Sequence, residues 1–215
     1  MGGRGSVGKR HSKGGNFDIK PDGGQLRPIH VAGMNRDIAN GVTQEKTLSY
    51  IEKIYKKGMN KEQLQILDED GWVIRAYQGE KHSVAFDPGE VRGRVVTHNH
   101  PSRWGGTFSG ADIRATGFGI KEIRASANEG VYSLKATRKA DSQGLQNALR
   151  KALPQIDRQM EKVADRLKRM KIVNPQRRAT INRRLQLNVL HRWYQKNAEK
   201  YGFEYQFTRN RDFKI

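Results

Sequence analysis

Residues two apart on an extended strand point to the same side, so His98 and His100 in Thr97-His98-Asn99-His100-Pro101 can reach one metal ion. Pro101 ends the strand and turns the chain. Ser109 suits the N-cap of a helix starting just after it, because its hydroxyl can accept from a backbone N–H two or three residues on. Asp112 then falls in the first turn of that helix, where its carboxylate can return to complete a His/His/Asp set. Three protein ligands leave one position open to water, the arrangement of catalytic rather than structural zinc. Zn2+ is therefore the expected cofactor. A metal so held polarises a carbonyl and brings the pKa of its water towards about 7. A nearby carboxylate must take the proton from water and return it to the leaving amine.

The elements that must position these groups are readable around them. Leu48, Ile51, Ile54 and Tyr55 recur at helical spacing, predicting a helix over Thr43–Lys57 that Gly58 stops. Leu64-Gln65-Ile66-Leu67 and Trp72-Val73-Ile74-Arg75-Ala76-Tyr77 flank Asp70-Gly71, a strong hairpin signal. Further strands are expected at Ser83–Phe86, at Gly93–His98 leading into the histidines, at Ile120–Ala125 and at Val131–Lys135. A short helix is expected from Ala111 to Gly117. Together they predict an α/β (α+β) fold in which a mixed β-sheet with flanking helices bears the metal site.

The last third changes character. Leu145, Leu149, Leu153, Ile156, Met160, Val163, Leu167 and Met170 form one helical stripe, with Pro154 expected to kink or divide it. A second helix after Asn174-Pro175 carries Ile181, Leu185, Val189, Leu190 and Trp193, and Phe203–Phe207 alternates like a strand. Trp193, Tyr201 and Phe203 are expected to seal these helices to the sheet. The expected division is a Gly-rich basic arm (1–26), a metal domain (27–139, core about 60–135) and a basic helical extension (140–215).

Composition narrows the function classes. The chain has 215 residues and no cysteine, which removes disulfide scaffolds, thiolate zinc fingers and cysteine nucleophiles. Net charge is +19, and residues 140–215 hold 18 Lys+Arg against 7 Asp+Glu. Such a basic face attracts polyanions such as nucleic acid, acidic proteins or anionic lipid, with nucleic acid or an acidic protein the expected partner and no membrane. Arg177, Arg178, Arg183 and Arg184 form the densest cluster and are the candidate nucleic-acid contacts. No run is long enough to span a bilayer, and no secretory signal is read at the N-terminus.

His98-x-His100-Pro101 followed by Ser109-x-x-Asp112 resembles the motif of the JAMM (JAB/MPN) metalloproteases, and the His-Asn-His-Pro-Ser wording is similar to its prokaryotic variants. Those include RadC-like proteins and JAB-like domains of phages and prophages, some attached to head-morphogenesis proteins. The similarity covers about residues 60–135 and implies a JAMM/cytidine-deaminase-like core. It implies zinc on His98, His100 and Asp112, and a zinc peptidase or isopeptidase acting on a peptide or protein. Ser109 would stabilise the oxyanion, and a Glu on an early strand would be the general base. Eight residues separate His100 from Ser109, one more than is usual in the family. Glu62, opening the first strand, suits the base best; Glu52 and Glu80 are the alternatives. A bacterial cytoplasm or a virion is the implied location.

Two other classes stay open. One is a non-catalytic scaffold or virion protein that holds nucleic acid through its C-terminal helices. The other is a metal-dependent nuclease, although no pair of carboxylates resembles a two-metal phosphodiesterase site.

Overall fold

The computed structural model describes residues 44–55, 60–101, 106–170 and 174–210. The Gly-rich arm, Thr43 and the Gly58 stop lie outside them.

Helix α1 (Gln44–Tyr55) has Glu45 in its first turn and Lys53 in its last, both favourable to the helix dipole. Strands β1 (Gln63–Leu67) and β2 (Val73–Gln78) form the expected hairpin. Gly71 makes its turn possible: φ is 92°, and a Cβ there would come within 2.6 Å of the Gln44 backbone. A 3-10 turn (Pro88–Glu90) precedes β3 (Val95–Asn99), which leads through the histidines to α2 (Gly110–Thr116). Next come β4 (Glu122–Ala127), β5 (Gly130–Ala136), α3 (Ser142–Arg169), α4 (Pro175–Asn197), a 3-10 turn (Ala198–Tyr201) and β6 (Phe203–Arg209).

The six strands form one mixed sheet in the order β2-β1-β3-β4-β5-β6. Only β3 and β4 run parallel, as the crossover through α2 requires. Alternation sorts the side chains onto two faces. Val95 and Leu67 meet Leu48, Ile51 and Tyr55 of α1 on one face. Leu64, Ile66, Val96, Ile123, Ala125, Tyr132 and Leu134 meet α2, α3 and α4 on the other. Ile113, fully buried, fastens α2 to the sheet, and truncating such a residue costs about 2–5 kcal/mol. Among the described residues no helix is long and apolar enough to cross a membrane.

Three local expectations need correction. Ser83–Phe86 is not a strand: only an isolated Glu80–Ser83 bridge forms, and Val84 and Phe86 plug the core from a loop. Alternating apolar residues there report burial without pairing. Pro154 does not divide α3, which runs unbroken through it. Pro154 lies exposed, opposite the buried stripe, where water can serve the carbonyl its missing N–H leaves free. The buried stripe of α3 also ends at Met160, leaving Met170 49% exposed.

The C-terminal segment is integral to the sheet. β6 pairs with β5 along its whole length, Phe203 opposite Ala136 and Arg209 opposite Gly130. Phe203 is buried, while Trp193 and Tyr201 pack partly against the core. Tyr194 stacks on Tyr205, and its hydroxyl donates to the Phe108 carbonyl (3.1 Å).

Candidate metal centre

β3 carries His98 on the face that α2 covers. His100, just past the strand, stays in line because its N–H donates to the Ser126 carbonyl of β4 (2.8 Å). The two imidazoles meet through their Nε2 atoms, 3.0 Å apart. Asp112 Oδ1 lies 3.0 Å from His98 Nε2, and Oδ2 lies 3.7 Å from His100 Nε2. One donor atom from each of the three residues falls within 4.8 Å of the others. Two imidazole nitrogens and a carboxylate oxygen make a set suited to zinc and other divalent transition metals.

The start of α2 aims the carboxylate. Ser109 is the N-cap, its hydroxyl accepting from the N–H groups of Ala111 and Asp112 (3.2 Å each). In return Asp112 Oδ2 accepts from the Ser109 N–H (2.6 Å) and from the Ser109 hydroxyl (2.7 Å). This is a capping box with Asp in place of Glu. The eight residues between His100 and Ser109 thus bring the Asp112 carboxylate back to the two histidines.

The three groups polarise one another. Burial is the largest single influence on His98 and lowers its pKa, but the charge and hydrogen bond of Asp112, joined by Glu62 and the Arg124 carbonyl, together raise it. Burial works to raise the pKa of Asp112, yet the two histidines and the Ser109 N–H hold it well below the usual carboxylate range. His100 is shifted down, by burial and then by His98. His100 Nδ1 lies 3.1 Å from the Gly106 carbonyl, an acceptor only. Nδ1 therefore carries the proton, and Nε2 turns its lone pair towards His98 and Asp112.

Glu62 stands at the same place. It directly precedes β1, where Leu64 pairs with His98, so antiparallel register puts residues 62 and 64 on the face of His98. Its backbone is pinned to the strand end by two bonds of 2.8 Å, N–H to the Glu80 carbonyl and carbonyl to the Gly79 N–H. Its half-buried carboxyl is pushed up to about 7, by burial first, with His98 opposing and Asp112 adding. The other two glutamates lie elsewhere. Glu52 is on α1, across the sheet, and accepts from Arg124 Nε and Nη2 at 2.6 and 3.2 Å. The Glu80 side chain is 80% exposed, 3.6 Å from Lys61.

Two further residues organise the centre. Asn99, between the histidines, points to the opposite face and brackets Glu62: Oδ1 accepts from the Gln63 N–H (2.5 Å), and Nδ2 donates to the Lys61 carbonyl (3.1 Å). Period-two alternation was the available signal, since a residue between two metal-facing histidines must face away. Glu129, in the β4–β5 turn, accepts at Oε1 from the Gly106 N–H and the Tyr132 hydroxyl, both at 2.8 Å. Gly106 in turn faces His100, so Glu129 steadies that ring through one residue. Nothing local in the sequence marks it.

The arginine cluster divides. Arg183 repeats with Leu187, Leu190 and Tyr194 at i, i+4, i+7 and i+11, the core-facing stripe of α4, and is half-buried near Glu129 and Tyr132. Arg177, Arg178 and Arg184 lie off that stripe, Arg177 exposed and the others partly so. No family model, curated protein or solved structure matches the chain.

Proposed function

We propose that this chain is a metal-dependent hydrolase of the JAMM type, cleaving an amide or isopeptide bond of a peptide or protein. His98, His100 and Asp112 would hold the ion, zinc before other divalent metals because the donors are two imidazoles and one carboxylate. The observation that carries the reading is the placement of Glu62 on the face and at the end of the sheet where these donors converge. A site that only held a structural ion would have no need of a fourth, half-buried carboxyl there.

A bound divalent cation supplies Lewis acidity, polarising the substrate carbonyl and acidifying water. The Glu62 carboxylate accepts a proton from the attacking water, and the same oxygen returns it to the departing amine. An acid whose pKa lies near neutrality can do both. The single hydroxyl proton of Ser109 is engaged by Asp112, so Ser109 first acts to orient that carboxylate. An oxyanion role requires this proton to turn towards substrate.

The test is metal analysis of purified protein beside His98→Ala and His100→Ala, with peptidase and isopeptidase assays before and after chelation. Stoichiometric metal lost in both variants, with activity restored by zinc and abolished in Glu62→Gln, is the expected result. Protein that takes up no metal overturns the site. Metal binding with activity unchanged in Glu62→Gln removes the proposed base.

A further inference from the structure

The far end of the α3–α4 hairpin serves no evident need of the fold. Buried positions of α3 end at Met160 and those of α4 begin at Gln186. Among the described residues from 161 to 185, none is buried. Residues 161–185 hold nine Lys+Arg against two Asp+Glu, a net +7. Lys162, Arg166 and Arg169, at i, i+4 and i+7, line one exposed face of α3. Arg177 and Arg184, at i and i+7, line one face of α4, with Arg178 nearby. None of the six forms an ion pair among the described residues. Like charges so close repel one another, which is a cost to the folded chain unless a polyanion offsets it.

We infer that this hairpin end is a docking surface for double-stranded nucleic acid, contacted through its phosphates. The chemistry of the surface selects that partner. A duplex presents one negative charge per roughly 1.7 Å of its axis, which matches a dense, unneutralised arginine cluster. A single strand would call for exposed aromatic side chains to stack on its bases, and residues 161–185 contain no aromatic. A lipid surface would call for a bulky apolar face, whereas among the described residues of this stretch the large apolar side chains exposed are Met170 and Leu185. An acidic protein partner would call for aromatic anchors at the centre of its interface, and residues 161–185 contain none. Arg183 is not part of the surface, because its stripe faces the core.

None of the residues substituted below is a metal ligand or the proposed base, so the test does not depend on the metal site. A fluorescein-labelled 20-base-pair duplex is titrated with the full chain, with anisotropy read between 50 and 200 mM KCl. Six phosphate contacts predict a slope of log K against log salt of about −5, a loss on the order of a thousandfold over that range. Substituting Arg166, Arg169, Arg177 and Arg178 together with Gln removes about four contacts and makes the slope shallower by about 3.6. The same four changed to Lys keep the slope, which separates lost charge from lost fold. A charge-matched control at Lys53, Lys121, Arg138 and Lys139, each to Gln, leaves the slope within about one unit of wild type. Equal losses in both Gln sets would reduce the effect to net charge and overturn the inference. So would no duplex binding at 50 mM KCl, or binding to phosphatidylglycerol vesicles without binding to the duplex.

Discussion

Replacing Asn99 with alanine isolates the placement of Glu62 from the binding of metal, because Asn99 faces away from the histidines on either side of it. The substitution removes two hydrogen bonds, from the Gln63 N–H and to the Lys61 carbonyl. The Gln63 N–H loses its partner beside a buried position, worth about 1–3 kcal/mol, whereas the Lys61 carbonyl belongs to an exposed residue and can turn to water. A net loss of about 2 kcal/mol lowers Tm by roughly 4–8 °C for a chain of this size. The larger effect is on rate. General-base catalysis contributes about 10²–10⁴-fold, and a base that is displaced rather than removed forfeits part of that, so kcat/KM falls by roughly 10–100-fold. Zinc affinity, from competition with a chromophoric chelator, stays within about threefold, because removing a hydrogen-bond partner of a ligand would cost about 10–100-fold and the Asn99 side chain bonds to none of the three. Asn99→Asp keeps the acceptor for Gln63 but loses the donor to Lys61, and falls between alanine and wild type. A kcat/KM unchanged in Asn99→Ala would refute the bracket. A fall in zinc affinity matching the fall in rate would show that Asn99 acts through the ligands instead.

As the proposed base, Glu62 would act only when deprotonated, so kcat/KM should rise with pH along an acid limb at or below about pH 7, since a cation nearby favours the carboxylate, and Glu62→Gln should flatten the limb in a pH–rate profile. Glu129→Ala releases Gly106 and loosens the His100 ring, weakening zinc binding by about 10–100-fold in the same chelator competition, while Glu129→Gln, which keeps an acceptor oxygen, weakens it less. Ser109→Ala removes an N-cap and one hydrogen bond to Asp112, and chemical denaturation should show a loss of about 1–2 kcal/mol. Zinc at 100 times its Kd stabilises the wild type by about 2.7 kcal/mol, and thermal melts of His98→Ala show no such rise.

Period-two alternation carries most of what can be read in this sequence. It sets His98 and His100 on one face and, followed through, sets Asn99 on the other. Helix-start chemistry identifies Ser109 and Asp112 before any tertiary contact is known. What alternation cannot show is which distant residue a strand face will meet. Glu129 reads as a turn residue, and its value lies in reaching Gly106 across 23 positions. Arg183 reads as one of four clustered arginines until the core stripe of α4 is located by Leu187, Leu190 and Tyr194. Ser83–Phe86 fails for the opposite reason, because burial without pairing imitates the apolar rhythm of a strand. The stripe of α3 overreaches because periodicity continues past Met160 after the partner surface has run out.

The pairing of β6 with β5 bears on how the molecule is made. The strand that covers one margin of the sheet is the last element described, so β5 waits through α3 and α4 before its outer hydrogen bonds are satisfied. On the ribosome, the Val131–Leu134 edge would stand open while more than sixty further residues are synthesised. An uncovered apolar strand edge invites pairing with another chain. A nascent or truncated chain that stops short of Phe203 should therefore self-associate through β5, with chaperone demand greatest in that interval.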